Sequence, residues 1–248
     1  MQPQSLPETP SQPLDTPKPS EIRELPVAEL ESLIQRAIPS RLLPRPYIDE
    51  LAPEERVAAL RCVALSYFSH PKRIVPRPFQ LQCTLALFNR RSVLVDAGTG
   101  SGKTLCQILP NLAFPASMSI TVSPLKRLQT LQAAELESWG IRVVCVNEDT
   151  PSNPLLWKNI EQGHYQHLIV QPEQLGPIKG HIPRLARLLD KPKFVSLISR
   201  YLVLAFSLDF CPLSTRKPIE TQPPKVLVGL DVASEAWEVG GGRRKQKE

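Results

Sequence analysis

Ser92 to Thr104 read SVLVDAGTGSGKT, a short apolar run followed by a glycine-rich loop and a segment of helical pattern. Val93, Leu94 and Val95 have the composition of a strand that a parallel sheet covers on both faces. Gly98, Gly100 and Gly102 carry no Cβ, so the backbone can take positive φ there and gather its N–H groups around anionic oxygens. Lys103 adds a point charge for terminal phosphates, and the hydroxyl of Thr104 suits Mg²⁺. A helix expected over Lys103 to Leu112, through Leu105, Ile108 and Leu109, points its positive end at the same place, and Pro110 should end or kink it. Strand, loop and helix in this order predict a nucleotide phosphate site.

Composition bounds the rest. The 248 residues are 42% hydrophobic, enough for a core, and include 27 prolines, seven of them between Met1 and Pro26. A net charge of +6 permits a polyanionic partner without requiring one. Five cysteines, Cys62, Cys83, Cys106, Cys145 and Cys211, are an odd number without C-x-x-C spacing, which fits buried thiols in a reducing compartment. The longest apolar candidate, Phe194 to Phe210, is interrupted and falls short of a membrane span. The first residues are polar and Pro-rich where a signal peptide has a basic and then an apolar region. The expectation is an intracellular protein, nuclear or cytoplasmic, with no membrane segment; the basic Arg243-Arg244-Lys245 reads as a solvated tail.

Periodicity divides the chain. Residues 1–26 are expected to be a disordered Pro-rich tail. Residues 27–75 read as a helical extension: Val27, Leu30, Leu33, Ile34 and Ile38 share one face until Pro39, and Pro53 to Phe68 turns Val57, Leu60, Val63, Ala64 and Leu65 inward. Over residues 76–200 the rhythm becomes strand, loop, helix. Strands are expected at Ser92 to Val95, Ser119 to Val122, Val143 to Val146 and His167 to Val170. Helices are expected at Leu81 to Phe88, Leu125 to Trp139, Leu155 to Ile160 and Lys193 to Arg200. Such alternation predicts an α/β fold, a doubly wound parallel sheet with ligand at the carboxyl ends of the strands. Residues 201–248 read as a divergent, poorly ordered tail.

The loop departs from the strict G-x-x-x-x-G-K-[ST] pattern, because Ala97 stands at its first position. Ala97-Gly98-Thr99-Gly100-Ser101-Gly102-Lys103-Thr104 resembles instead the A-x-T-G-S-G-K-T variant of superfamily 2 helicases. Several further motifs, in order over roughly Pro76 to Asp190, resemble the first RecA-like domain of RecQ-type DNA helicases, particularly fungal RecQ-like ones. Arg77-Pro78-Phe79-Gln80 is similar to the family's F-R-P-x-Q element, with Pro76 in place of the usual Phe and Gln80 lying 23 residues before Lys103. The resemblance implies that Gln80 hydrogen-bonds adenine with both ends of its amide. It also implies that Arg77, Thr99, Gly100, Ser101, Gly102, Lys103 and Thr104 complete an ATP–Mg²⁺ site.

Val122-Ser123-Pro124-Leu125, then Leu128 and Gln132, resemble a family element that touches the backbone of single-stranded DNA, with Lys126 and Arg127 adding charge and Leu131 replacing an acid. Hydroxyl and N–H groups at a helix start can grip phosphates without reading bases. Leu168 to Leu175 is similar to an apolar strand followed by T-P-E-x-L, with Gln171 for Thr. Pro172 and Glu173 thus join the expected DNA surface.

The family's next strand ends in D-E-x-H, whose acids hold Mg²⁺ and activate water. Here that strand should fall near Tyr201 to Ser207, YLVLAFS, which has no acid; Asp209 follows with Phe210, and a rival run, Val226 to Leu230, ends in Asp231 with Glu235 nearby. Only 145 residues follow Lys103, room for one RecA-like domain and not two. The expectation is therefore an ATP- and nucleic-acid-binding part of a RecQ-like helicase, with 3′–5′ unwinding implied by resemblance but not performed by this chain alone. Two alternatives stay open. One is a non-catalytic, nucleotide-dependent DNA-binding or regulatory module, and the other is an ATPase of another family using Asp231.

Overall fold

The computed structural model describes residues 16–98, 100–177, 180–203 and 225–229. Helices α1 (Pro19–Glu24), α2 (Val27–Ala37), α3 (Arg45–Asp49) and α4 (Pro53–Ser69) come first. Next come α5 (Pro78–Phe88), β1 (Ser92–Asp96), α6 (Leu105–Ala113), β2 (Met118–Val122), α7 (Lys126–Ser138) and β3 (Val143–Val146). The order closes with α8 (Pro154–Glu161), β4 (His167–Val170), α9 (Arg184–Leu189), α10 (Pro192–Val195), β5 (Ile198–Val203) and β6 (Lys225–Gly229).

Four strands form a sheet in the order β3-β4-β2-β5, and every pairing is parallel. Side chains alternate across it, as the two-residue period requires. On one face Val143 and Ile169 pack against the helices that precede β2 and against α7. On the other, Met118, Ile120, Val122, Val146, Leu168 and Val170 pack against Trp157 and Ile160 of α8, Leu185 and Leu188 of α9, and Phe194 of α10. Helices on both faces of a parallel sheet make this the expected α/β architecture.

The sheet does not include β1. That strand pairs antiparallel with β6, Ser92 opposite Gly229 through Asp96 opposite Lys225. Val93 and Val95 face Phe79 and Cys83 of α5 and Cys106 of α6, while Leu94 is 58% exposed. The expectation of a strand covered on both faces is thus corrected to one-sided burial. A three-residue apolar run fits either arrangement, and only the partner strand decides.

Other boundaries differ for local reasons. The expected disordered tail is corrected at its C-terminal end, because α1 lies inside it; residues 1–15 fall outside the described part. Pro19 occupies the first helical position, Lys18 N–H donates to the Glu21 carboxylate at 2.9 Å, and Ile22 is fully buried. Burying one such side chain contributes about 1.5–3 kcal/mol, and the Arg23 guanidinium donates to Leu112 O at 2.9 Å at the end of α6. Helices α1 and α2 rest on α4, and α4 rests on α6. Pro110 does not stop α6, which continues to Ala113 with Pro110 buried inside it. The helix expected from Lys193 to Arg200 is corrected to the single turn of α10, after which β5 runs beside β2. Asp209, Asp231 and Glu235 lie outside the described residues. Among the described residues no helix is long and apolar enough to cross a membrane.

A buried polar cluster ties α6 to the sheet. Ser119 Oγ lies 2.6 Å from His167 Nδ1 and donates to Asn111 Oδ1 at 2.9 Å, while Asn111 Nδ2 donates to Gln107 O at 2.8 Å. His167 Nε2 is buried without a partner. Burial pushes the imidazole down from 6.5 to about 4, since a second ring proton would be a buried charge with nothing to accept from it. The unfolded chain therefore takes up this proton first, and folding stability contributed by neutral His167 is complete above about pH 6.5 and lost as pH falls toward about 4. Urea unfolding at pH 7 and pH 5 should show a loss of up to about 2 kcal/mol, reduced in His167→Gln; equal pH dependence of the two proteins would contradict the assignment.

Candidate functional site

The loop between β1 and α6 has the conformation its glycines permit. Gly100 and Gly102 sit at φ of 76° and 85°. Helix α6 starts at Leu105, two residues later than expected, with Thr104 as its cap residue in a helical conformation. The amides of Gly102, Lys103 and Thr104 make no hydrogen bond among the described residues, so three successive donors stand at a helix start. Lys103 Nζ folds over the loop and donates to Ala97 O at 2.7 Å and Gly98 O at 3.2 Å. Thr104 is half-buried, and Thr99 is outside the described residues.

Gln80 holds this loop from behind. Pro78 is the first helical residue of α5, and Gln80 at the third position accepts the N–H of Arg77 at 2.7 Å, which caps the helix start from one side. Its Nε2 donates to Gly102 O at 2.8 Å. Each end of the amide that the resemblance assigns to adenine thus holds one partner within the protein, which orients the amide and leaves one N–H and one oxygen lone pair over. The Arg77 guanidinium reaches Ser101 O at 3.5 Å. A cleft of about 280 Å³ opens beside these groups, with Ile74, Val75 and Leu105 as apolar wall and Glu135 and Trp139 of α7 opposite. Behind it, the thiols of Cys83 and Cys106 hydrogen-bond to one another, and that bond together with burial pushes the Cys106 thiol far up.

The second group of expected residues gathers at the carboxyl ends of β2, β3 and β4, but with altered availability. Ser123 is buried: its N–H donates to Val170 O at 2.8 Å, its carbonyl accepts Gln129 Nε2 at 2.7 Å, and its hydroxyl faces no partner. The expectation that this hydroxyl grips phosphate is corrected accordingly. Lys126 is also not a free cation, since its ammonium contacts Glu148 at 2.5 Å and Asp149 at 2.6 Å, and hydrogen bonds to Asp149 and then Glu148 raise its pKa. Pro124, Leu125 and Arg127 are exposed, Gln132 is half-buried, and Pro172 and Glu173 are exposed on a single 3-10 turn, Pro172–Gln174.

Gln129 and Asn147 escaped the sequence reading, and Gln171 entered it only as the residue in place of Thr. Gln129 Oε1 accepts Asn147 Nδ2 at 2.9 Å, and Gln171 Oε1 accepts the N–H of Glu148 at 3.2 Å. Asn147 and Gln171 each directly follow a strand end, whereas Gln129 lies in the first turn of α7 with no local signal. Among the described residues no cluster of His, Cys, Asp and Glu could hold a metal ion.

Comparison with known proteins agrees with this geometry. A family model described as DEAD/DEAH box helicase matches residues 77–197. The chain is 30% identical over 119 residues, 46% of its length, to a Caenorhabditis briggsae protein named "Putative ATP-dependent DNA helicase Q1", of which the match covers 19%. It is 27% identical over 115 residues, 45% of its length, to "ATP-dependent DNA helicase Q1" of Rattus norvegicus, covering 18% of that protein. A protein of Acanthamoeba polyphaga mimivirus named "Putative ATP-dependent RNA helicase R290" is 28% identical over 134 residues, 54% of this chain and 24% of the relative. Residues 77–197 are therefore similar to part of a DEAD/DEAH-type helicase domain, with helicases of the Q1 type among the relatives matched. The matched stretch spans at most 24% of the length of these relatives.

The clamp on the loop makes its glycines unequal. A Cβ on Gly102 would lie 2.8 Å from Gln80 Nε2 at a φ that L-residues rarely adopt, whereas a Cβ on Gly98 meets nothing within 4 Å. Gly102→Ala should cost about 1–3 kcal/mol of unfolding free energy and Gly98→Ala no more than about 0.5 kcal/mol, measured by urea titration. Equal effects would contradict the clamp.

Proposed function

We propose that this chain binds ATP with Mg²⁺ in the loop between β1 and α6, and a single strand of DNA across the carboxyl ends of β2 and β4, as part of a RecQ-like helicase. The observation that carries this reading is the clamped loop itself, with the amides of Gly102, Lys103 and Thr104 unbonded among the described residues at the start of α6. Phosphate oxygens would replace Ala97 O and Gly98 O as partners of the Lys103 ammonium. Gly100, Ser101, Gly102 and Thr99 would line the phosphates, and the Thr104 hydroxyl would hold Mg²⁺, which when bound neutralises charge on the phosphates. Arg77 and Gln80 sit where a base would enter the adjoining cleft, whose apolar wall suits a ring. Pro124, Leu125, Arg127, Pro172 and Glu173 offer the exposed strand-end surface, and Ser123, Lys126 and Gln132 belong to its frame. The relatives' printed activity, an ATP-dependent helicase, is thereby extended to this chain as ATP and nucleic-acid binding, in the nucleus or cytoplasm. Unwinding in the 3′–5′ direction belongs to the complete helicase.

A second reading, nucleotide binding without turnover, is favoured by one observation. Strand β5, the neighbour of β2, contains no carboxylate between Ile198 and Val203. Losing the acids that hold metal and water lowers a hydrolytic rate by orders of magnitude.

Calorimetry with ATP–Mg²⁺ tests the site. Lys103→Ala removes a charge-assisted contact of about 1.5–3 kcal/mol, or roughly 10- to 150-fold in affinity; equal affinity of the two proteins would remove this loop from the site. Steady-state assays of the purified chain should show ATP turnover near background with and without single-stranded DNA. Robust DNA-stimulated turnover abolished by Lys103→Ala would instead give Asp209 or Asp231 the catalytic role.

A further inference from the structure

Lys126 is the first residue of α7, directly beyond the carboxyl end of β2, where the strand-end surface should present positive charge to a phosphate backbone. Its ammonium is instead shared between two carboxylates, Glu148 at 2.5 Å and Asp149 at 2.6 Å, both on the segment after β3. This segment is held in place from three directions. Glu148 N–H donates to Gln171 Oε1 at 3.2 Å from the end of β4, and Asn147 Nδ2 donates to Gln129 Oε1 at 2.9 Å from α7. Within the loop, Asn147 N–H donates to Thr150 Oγ1 at 2.8 Å and Asp149 N–H to Asn147 Oδ1 at 3.0 Å.

Two acids on one base leave this point net negative, and the neighbouring exposed Arg127 only restores neutrality. The fixed backbone keeps both carboxylates within reach of the ammonium, while their side chains stay largely exposed, at 71% and 70%, so that a phosphate can reach and displace them. We propose that Glu148 and Asp149 are a built-in competitor for nucleic-acid phosphate at Lys126, so that a single strand must displace them before this edge can grip it. The proposal rests on the nucleic-acid reading given above. Displacement exchanges two carboxylate contacts for one phosphate contact, which keeps affinity low and removes one phosphate from the salt dependence of binding.

The test uses the full chain and fluorescein-labelled oligothymidylate, with anisotropy titrations from about 25 to about 200 mM salt. Glu148→Gln with Asp149→Asn should tighten binding at the lowest salt by about threefold to tenfold and steepen the slope of log affinity against log salt by about 0.7, the single-strand value for one added phosphate contact. Adding Lys126→Ala to this pair should abolish both gains. Each single substitution, Glu148→Gln or Asp149→Asn, should give part of the gain, which keeps the test usable if the pair unfolds. No gain in any carboxamide variant, or a gain that survives Lys126→Ala, would overturn the proposal, the second outcome being an effect of net charge alone. Failure of the nucleic-acid reading gives a different result: no binding of the unsubstituted chain and its variants alike, even at the lowest salt.

Discussion

The hydrogen bond from Gln80 to the carbonyl of Gly102 is the contact on which the candidate site depends. One side-chain amide caps the start of α5 and holds the glycine loop, so the position of α5 fixes the position of the loop. The approach is close enough to exclude a Cβ at residue 102, which is a physical reason for glycine there beyond its positive φ. Phe79 and Cys83 of the same helix pack on Val93 and Val95, so the strand entering the loop is located by the same element that clamps its exit. A base meeting this site would be coupled to the cap of α5, because the Gln80 amide is oriented by its bonds to Arg77 and Gly102.

From this loop outward, polar side chains rather than apolar ones specify alignment. The packing of α6 on α4 and α5 would tolerate sliding, but Asn111 reaches Ser119 of β2, which in turn contacts His167 of β4. Ser119 and His167 are register partners, so one cluster aligns α6 with two strands at once. A fully satisfied buried network is specific because any shift leaves a donor or acceptor without water or partner; here the one unmet atom, His167 Nε2, makes the same cluster acid-sensitive. A comparable set, Gln129 with Ser123 and Asn147 and Gln171 with Glu148, aligns the loops at the opposite ends of the strands. The phosphate loop and the strand-end surface are therefore parts of one frame.

The sequence made the order of elements from α5 to β4 legible because apolar runs of four or five residues alternate there with helical periodicity. The spacing of Gly100, Gly102 and Lys103 made the loop legible because so few residue types permit its backbone. What could not be read depends on partners distant along the chain. The sidedness of β1 is decided by β6, more than 120 residues away. The burial of Ser123 and the neutralisation of Lys126 are decided by Gln129, Glu148 and Asp149, which no local pattern connects to them. Helix α1 was hidden for another reason: in a Pro-rich stretch one anchored side chain, Ile22, together with a proline at the first helical position, outweighs the average composition. Family resemblance singled out Gln80 but could not show that its amide has two partners within the protein.

Hydrogen–deuterium exchange of the chain with and without ATP–Mg²⁺ tests most directly whether residues 98–106 form a phosphate cradle clamped by Gln80. The amides of Gly102, Lys103 and Thr104, unbonded among the described residues, should become protected when the nucleotide binds, with a smaller change at the start of α5 and none at the Asn111, Ser119 and His167 cluster. Unchanged exchange across residues 98–106 at saturating ATP–Mg²⁺, or protection confined to another part of the chain, would contradict the account.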